Sequence, residues 1–253
     1  MPLILEDEGF VSAWEQADQG EYPVFPNVRL KDFGSLDTVL YQSYGGRIPI
    51  MHMRNRDEFE QLICAIFYKG EKREIPKSMG ALAIKGWKDL FGMPHRAILL
   101  SEGYYSAVPP EEIGLGADEW IGKSFVLRRA HECTHYYTLR AYGFMNNGLK
   151  DEFIADAMGM IEAFGEYRAD LFLRFVGLEH YPAYREGGRL QNYLPKDRNA
   201  TEEEFKEMQD TAYTAANALE TFLKENPAYT KDDAGKLALL DKLALRDNLY
   251  EAL

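Results

Sequence analysis

The sequence predicts an α+β fold with a mixed amino-terminal half and a mainly helical carboxy-terminal half. In the first hundred residues, short apolar runs alternate with turn residues, and residues 48–53 and 97–101 have the composition of strands. Between them, residues 56–68 carry apolar side chains at helical spacing. From Asp118 onward the helical pattern continues almost without interruption. Strands followed by a run of helices are typical of the α+β class.

Glycine and proline bound the helices of the second half. These helices are predicted over about residues 124–142, from 149 onward, over 166–176, over 201–224 and from 231 to the end. Gly143 and Gly177 end the first and third of them, because glycine adopts the left-handed conformation that closes a helix. Pro227 separates the last two. We therefore predict a mixed subdomain over residues 1–116 and a helical subdomain over residues 117–253, packed as one compact unit.

Composition and charge exclude several classes of partner. The 29 Lys and Arg against 41 Asp and Glu give a net charge of −12, which repels phosphate backbones and anionic lipid. Nucleic acid and membranes are therefore not expected partners. No run approaches the roughly 20 apolar residues of a membrane span, and the amino terminus lacks the pattern of a secretory signal. Because the two cysteines, Cys64 and Cys133, are too few for a disulfide framework, a cytoplasmic location is expected.

Two histidines lie one helical turn apart within residues 130–138, AHECTHYYT. On a helix, His131 and His135 are about 40° apart around the axis and roughly 6 Å apart along it, so both imidazoles can bind one ion. Zn²⁺ accepts such nitrogens, and a catalytic site leaves its fourth position for water. Glu132 directly follows His131 and is placed to take a proton from that water. This pattern predicts a zinc site with Glu132 as the general base.

A third ligand is predicted on the next helix, within residues 151–159, DEFIADAMG. Glu152 and Asp156 share one helix face at positions i and i+4. Small residues beside that face allow the helix to approach its neighbour closely; they are Ala155, Gly159 and Ala163. Glu152 would then complete a His, His, Glu ligand set. Asp156 would accept a hydrogen bond from a ligand imidazole and so fix its tautomer.

These two motifs resemble those of the thermolysin-like zinc metallopeptidases of the gluzincin clan. The active-site helix of that clan reads A-H-E-x-T-H-x-x-T, and residues 130–138 match every fixed position. Its second motif is like N-E-x-x-x-D-x-x-G, which residues 151–159 match except that Asp151 replaces Asn. The resemblance implies a zincin-like fold, peptide cleavage, and a strand near residues 95–103 that pairs with extended substrate. The site residues it implies are the ligands His131, His135 and Glu152, the base Glu132 and the orienting Asp156.

The motifs identify the ligands and the base, but they do not identify the residue that would stabilise the oxyanion of a tetrahedral intermediate. No downstream Gly-x-His segment supplies the histidine that serves this purpose in the clan. A histidine, tyrosine or arginine that reaches the metal's open side can take that role. His180 is the candidate for it. Other candidates are Tyr181, Tyr184, Arg185 and Arg189 after the third helix, and Tyr104 and Tyr105 after the strand near residue 100.

Two other interpretations of the motifs stay open. Glu132 and His135 also form Glu-x-x-His, the spacing of di-iron carboxylate bundles, although a bundle needs two such motifs and the sequence has one. A metal-free binding protein on a zincin scaffold is the second alternative. Glu166 and Asp170 repeat the Glu-x-x-x-Asp spacing, but they lack the stripe of small residues. We therefore predict a Zn²⁺-dependent hydrolase that acts on a peptide or a small amide, with its oligomeric state open.

Overall fold

The computed structural model describes residues 30–76, 79–85, 96–143, 148–195 and 199–245. Within this part of the chain it contains four strands and seven α-helices, which confirms the predicted α+β class. The chain divides into two compact units, one up to residue 103 and one from residue 104. The loop before residue 117 therefore belongs to the helical unit. The turn predicted after Gly143 and the last eight residues lie outside the described residues.

A four-stranded sheet forms the framework of the amino-terminal unit. Its strands are β1 (Leu36–Ser43), β2 (Gly46–Met53), β3 (Ala81–Lys85) and β4 (Arg96–Ser101). The spatial order is β1-β2-β4-β3, with β2 and β4 parallel and the two outer pairs antiparallel. The apolar runs of the sequence predict the two central strands but not β1 and β3.

Helix α1 (Arg56–Phe67) covers the apolar core of this unit. Asn55 begins the helix, because its side-chain oxygen accepts hydrogen bonds from the backbone N–H groups of Asp57 and Glu58. The helix buries Phe59 and Leu62 in the same core cluster as residues of β2 and β4. Burial of each such side chain stabilises the fold by about 1.5–3 kcal/mol.

The described residues of the second unit include six α-helices. They are α2 (Ala117–Tyr142), α3 (Leu149–Phe164), α4 (Ala169–Val176), α5 (Glu202–Glu225), α6 (Ala228–Lys231) and α7 (Asp233–Ala244). The predicted ends at Gly143 and Gly177 are confirmed, and both glycines have positive φ, 76° and 88°. Thr201 begins α5 through a capping box with Glu204. None of the helices in the described part of the chain is long and apolar enough to cross a membrane.

Two predicted helix starts are wrong. Helix α2 begins at Ala117 rather than near residue 124, because Trp120 is fully buried and its indole N–H donates to the Val108 carbonyl over 2.8 Å. That tertiary contact fixes the first turns, which carry little apolar periodicity. Helix α4 begins at Ala169 rather than near Glu166. Its start is held by the side chain of Glu220 on α5, which accepts a hydrogen bond from the Ala169 N–H over 3.0 Å.

The far end of α2 is fixed by α7. The carboxylate of Asp241 accepts hydrogen bonds from the hydroxyls of Tyr137 and Tyr142, the second over 2.5 Å. Lys150, at the start of α3, donates to the Ala244 carbonyl over 2.9 Å. These contacts hold α2 and α3 at a defined separation, and the candidate site lies between these two helices.

Candidate metal centre

His131 and His135 lie side by side on α2 and are both buried, with exposed fractions of 5% and 3%. Their Nε2 atoms are 3.1 Å apart, and the ring planes are inclined by 80°. The i, i+4 spacing therefore directs the same nitrogen of each imidazole to one point. This is the arrangement that the sequence motif predicted.

Glu152 of α3 brings a carboxylate to the same point. Its Oε2 is 3.4 Å from His131 Nε2, and its Oε1 is 3.4 Å from His135 Nε2. The three residues form a group whose potential ligand atoms all lie within 4.8 Å of one another. Among the described residues, no other group of three or more His, Cys, Asp or Glu side chains is close enough together to hold a metal ion. The sequence-predicted ligands are thus brought together.

The close approach of α3 to α2 depends on Gly159. A Cβ atom at this position would lie 2.8 Å from the backbone oxygen of Leu127 and 3.1 Å from its Cδ2. Backbone cannot move aside as a flexible side chain can, so residue 159 must lack a side chain at this separation. Ala155, one turn earlier, is fully buried. Gly159 therefore allows Glu152, two turns away on the same helix, to reach the imidazoles.

Asp156 fixes the orientation of His131 through Nδ1, the ring nitrogen that faces away from His135 and Glu152. Its Oδ1 is 2.8 Å from His131 Nδ1, so Nδ1 carries the proton and Nε2 is left with a lone pair that faces His135 and Glu152. The carboxylate is fully buried, but it also accepts hydrogen bonds from the Tyr105 hydroxyl over 2.5 Å and from the Arg189 guanidinium. These donors compensate for the loss of water around a buried charge.

Tyr105 reaches Asp156 from the short turn Tyr105–Ala107, which lies before α2. The backbone N–H of Tyr105 donates to Ser124 Oγ over 3.0 Å, and its ring packs edge-on against Phe175 with centroids 5.0 Å apart. The next two residues have positive φ, 52° at Ser106 and 57° at Ala107. Such values strain residues other than glycine, and strain of this kind is concentrated at functional sites.

Arg189 and Tyr193 come from the 3₁₀ segment Arg189–Tyr193, and their positions depend on Gly188. A Cβ on Gly188 would lie 2.5 Å from the Val176 carbonyl, so only glycine allows the segment to approach the end of α4. Arg189 Nη1 donates to the Tyr105 hydroxyl over 3.1 Å, in addition to its ion pair with Asp156. The Tyr193 hydroxyl is 3.4 Å from Glu152 Oε2. The segment therefore contacts both Glu152 and Asp156 of α3.

The charges of the centre keep both carboxylates ionised. Burial raises the pKa of Glu152, but the two imidazoles outweigh it and hold that pKa well below its usual value. Burial also raises the pKa of Asp156, but Arg189 and His131 outweigh it and lower that pKa. Burial lowers the pKa of His131, whereas Asp156 and Glu152 raise it to about 10. A proton and a metal ion therefore compete for the lone pair of His131 Nε2.

The geometry and the donor set fit a zinc ion. Zinc binds nitrogen and oxygen ligands at about 2.0–2.1 Å, so ligand atoms at tetrahedral positions are about 3.3–3.4 Å apart. The observed separations of 3.1, 3.4 and 3.4 Å are close to these values. Two imidazoles also disfavour Mg²⁺ and Ca²⁺, which take oxygen ligands. His131, His135 and Glu152 would hold the ion and leave one position for a further ligand.

The remaining sequence-predicted residues lie in different surroundings. Glu132 is half-buried on α2 directly after His131, and its role as a base stays a prediction. His180 is exposed, and its backbone pairs with Ala183 in an isolated bridge outside the His, His, Glu group. Of the other candidates, Tyr105 and Arg189 contact the centre through Asp156. Tyr193 is not among the sequence-predicted residues, because only the course of the irregular segment after α4 brings it to the centre.

The sequence matches one family profile along most of its length. A profile described as a family of unknown function, DUF7005, matches residues 12–91 and 93–250. The chain belongs to DUF7005. Neither a curated protein nor a solved structure matches it. The match covers both units of this DUF7005 protein and every residue of the candidate metal centre.

Proposed function

We propose that this DUF7005 protein is a zinc-dependent hydrolase that cleaves an amide bond, with peptides as the substrate class. The observation that carries the proposal is the convergence of His131, His135 and Glu152 on one point, with Asp156 hydrogen-bonded to the distal nitrogen of His131. A carboxylate behind a ligand histidine is the usual support of such a site. The buried, pre-arranged donors need no large rearrangement to accept an ion.

In this proposed reaction, the site residues have separate roles. A zinc ion bound by three protein ligands would lower the pKa of water towards neutrality and polarise a carbonyl group. Glu132 accepts a proton from the attacking water, whose oxygen forms a bond to the carbonyl carbon of the amide. When the carbon–nitrogen bond breaks, Glu132 returns that proton to the departing amine. Asp156 keeps His131 in the tautomer that leaves Nε2 available.

The motif supports hydrolysis more strongly than it identifies a substrate. Residues 130–138 and 151–159 resemble the two site motifs of thermolysin-like metallopeptidases, and we extend the proposal to a zincin-like fold on that basis. The di-iron alternative requires a second Glu-x-x-His motif, which the sequence lacks. A metal-free scaffold would have no need of a histidine whose distal nitrogen is held by a buried carboxylate.

Metal analysis followed by a matched pair of variants tests the proposal. We expect about one zinc per chain in the purified protein and cleavage of some members of a mixed peptide library. Glu132→Gln should keep the zinc and abolish cleavage, because the amide cannot accept the proton. Glu119→Gln, an exposed position on the same helix, is the control and should cleave as the wild type does. Two irons per chain, no metal, or an active Glu132→Gln protein would each contradict the proposal.

A further inference from the structure

We propose that Tyr193 is a catalytic residue of this centre. Its hydroxyl would donate a hydrogen bond to the substrate carbonyl oxygen as negative charge develops on that oxygen. The inference rests on the proposed zinc-dependent hydrolysis and adds the group that such a reaction needs besides the ligands and the base. A donor aimed at developing charge accounts for a large part of catalysis in acyl transfer, and loss of one donor slows such reactions by about 10²–10³-fold.

The distance from Tyr193 to the ligand set supports this role. The hydroxyl is 3.4 Å from Glu152 Oε2, the oxygen that faces His131 Nε2. An ion bound to that oxygen at about 2.0–2.2 Å would lie no more than about 5.6 Å from the hydroxyl. An oxygen placed between the two can therefore be within hydrogen-bonding distance of Tyr193. Because 3.4 Å is long for an O–H···O bond, the hydroxyl is free to turn from Glu152 to a better acceptor.

The Tyr105 hydroxyl and the two terminal nitrogens of Arg189 already have partners in the centre. Tyr105 donates its proton to Asp156 over 2.5 Å and lies on the Nδ1 side of His131, across the imidazole from the ligand nitrogens. Arg189 uses its two terminal nitrogens for Asp156 and for the Tyr105 oxygen. The Tyr193 hydroxyl lies next to Glu152, and the Tyr193 side chain is half-buried whereas that of Tyr105 is buried.

The segment that carries Tyr193 is held in register with α3. Arg189 and Tyr193 are four residues apart, as are Asp156 and Glu152, and each member of one pair contacts a member of the other. The start of the segment is fixed by the close contact of Gly188 with Val176 and by the Tyr184 hydroxyl, which donates to the Gly188 carbonyl over 2.5 Å. Arg189 thus acts as a positioning residue for Tyr193.

Binding of a small anion to the cobalt-substituted protein tests the role of Tyr193 without a known substrate. Co²⁺ replaces zinc in one-metal sites and gives a visible spectrum that reports its ligands. Acetohydroxamate, titrated into the Co²⁺-loaded chain, presents a negatively charged oxygen to the open position. We expect Tyr193→Phe to retain about one cobalt per chain and to bind acetohydroxamate about 10- to 100-fold more weakly, the effect of one lost hydrogen bond to a charged oxygen.

Tyr213→Phe is the matched control, because it removes a hydroxyl from an exposed ring on α5, and it should bind acetohydroxamate as the wild type does. Equal affinity of Tyr193→Phe and the wild type would overturn the inference, while the metal site would stand. Loss of cobalt from Tyr193→Phe would also overturn it, since the hydroxyl would then serve only to place Glu152. A wild-type protein that takes up neither cobalt nor zinc would overturn the proposed function and this inference together.

Discussion

The sequence contains two Glu-x-x-x-Asp pairs, and the surroundings of the two differ. Glu152 and Asp156 lie on α3 and face two imidazoles, and Asp156 is fully buried. Glu166 is exposed before α4 begins, and the side chain of Asp170 is 64% exposed in an ion pair with Arg168. Spacing alone therefore does not make a site. The difference is that one pair lies on a helix that a glycine brings into backbone contact with its neighbour.

The largest expected effect is a difference in zinc affinity between variants of the two acidic pairs. Glu152→Gln removes the charge and one of the oxygens that we propose as metal ligands. We expect the affinity for zinc to fall by more than about 100-fold, beyond the 10- to 100-fold cost of losing an outer partner. Glu166→Gln makes the same chemical change at the other pair and should leave the affinity unchanged. Competition with a chromogenic chelator measures both, and equal loss in the two variants would contradict the assignment of ligands.

The second effect concerns the glycine that distinguishes the two helices. Gly159→Ala would place a Cβ 2.8 Å from the Leu127 carbonyl oxygen. We expect the free energy of unfolding to fall by about 1–3 kcal/mol, the usual cost of overpacking, and zinc to bind more weakly because α3 moves away from α2. Urea unfolding of the metal-free protein gives the first quantity, and chelator competition gives the second.

Gly122→Ala is the control for this substitution. Gly122 lies on α2, is exposed, and a Cβ there would meet no atom within 4 Å. Alanine should therefore stabilise the helix by about 0.4–1 kcal/mol, because it reduces the freedom of the unfolded chain. If both substitutions changed stability in the same direction, the close approach at Gly159 would not be what separates the two acidic pairs.

The third effect tests the support behind the ligands. Tyr105→Phe removes the hydroxyl that donates to Asp156, and with it an acceptor of Arg189. We expect zinc affinity to fall by about tenfold, at the lower end of the range for outer partners, because His131 and Arg189 still hold Asp156. Tyr104→Phe, at the neighbouring half-buried position, should bind zinc as the wild type does. An unchanged affinity in Tyr105→Phe would show that Asp156 needs no support from this turn.

Local patterns explain what the sequence could predict. Helix ends at Gly143 and Gly177 depend on the left-handed conformation of one residue, and the ligand set depends on i, i+4 spacing within α2 and α3. Both are properties of short stretches of chain. Strands β2 and β4 could also be predicted, because they are central and rich in buried apolar residues.

Features set by distant contacts could not be predicted. Strand β1 alternates between exposed and half-buried residues along most of its length, so its strand conformation depends on pairing with β2. The start of α2 depends on a hydrogen bond from Trp120 to Val108. The sequence indicates Arg189 only as one of several candidates for stabilising the oxyanion, and no sequence pattern indicates Tyr193. Their contacts with α3 depend on the packing of Gly188 against Val176, which no local pattern encodes.

The smallest expected effect lies at the exposed pair. Asp170→Asn removes the ion pair with Arg168 and one negative charge in the first turn of α4. Surface ion pairs and charges near a helix end each contribute up to about 1 kcal/mol, and both are screened by salt. We expect the free energy of unfolding to fall by no more than about 2 kcal/mol at low salt, and by less at 1 M salt, with zinc affinity unchanged. A loss of zinc from Asp170→Asn would mean that the exposed pair also contributes to the metal centre, and the contrast between the two pairs would no longer hold.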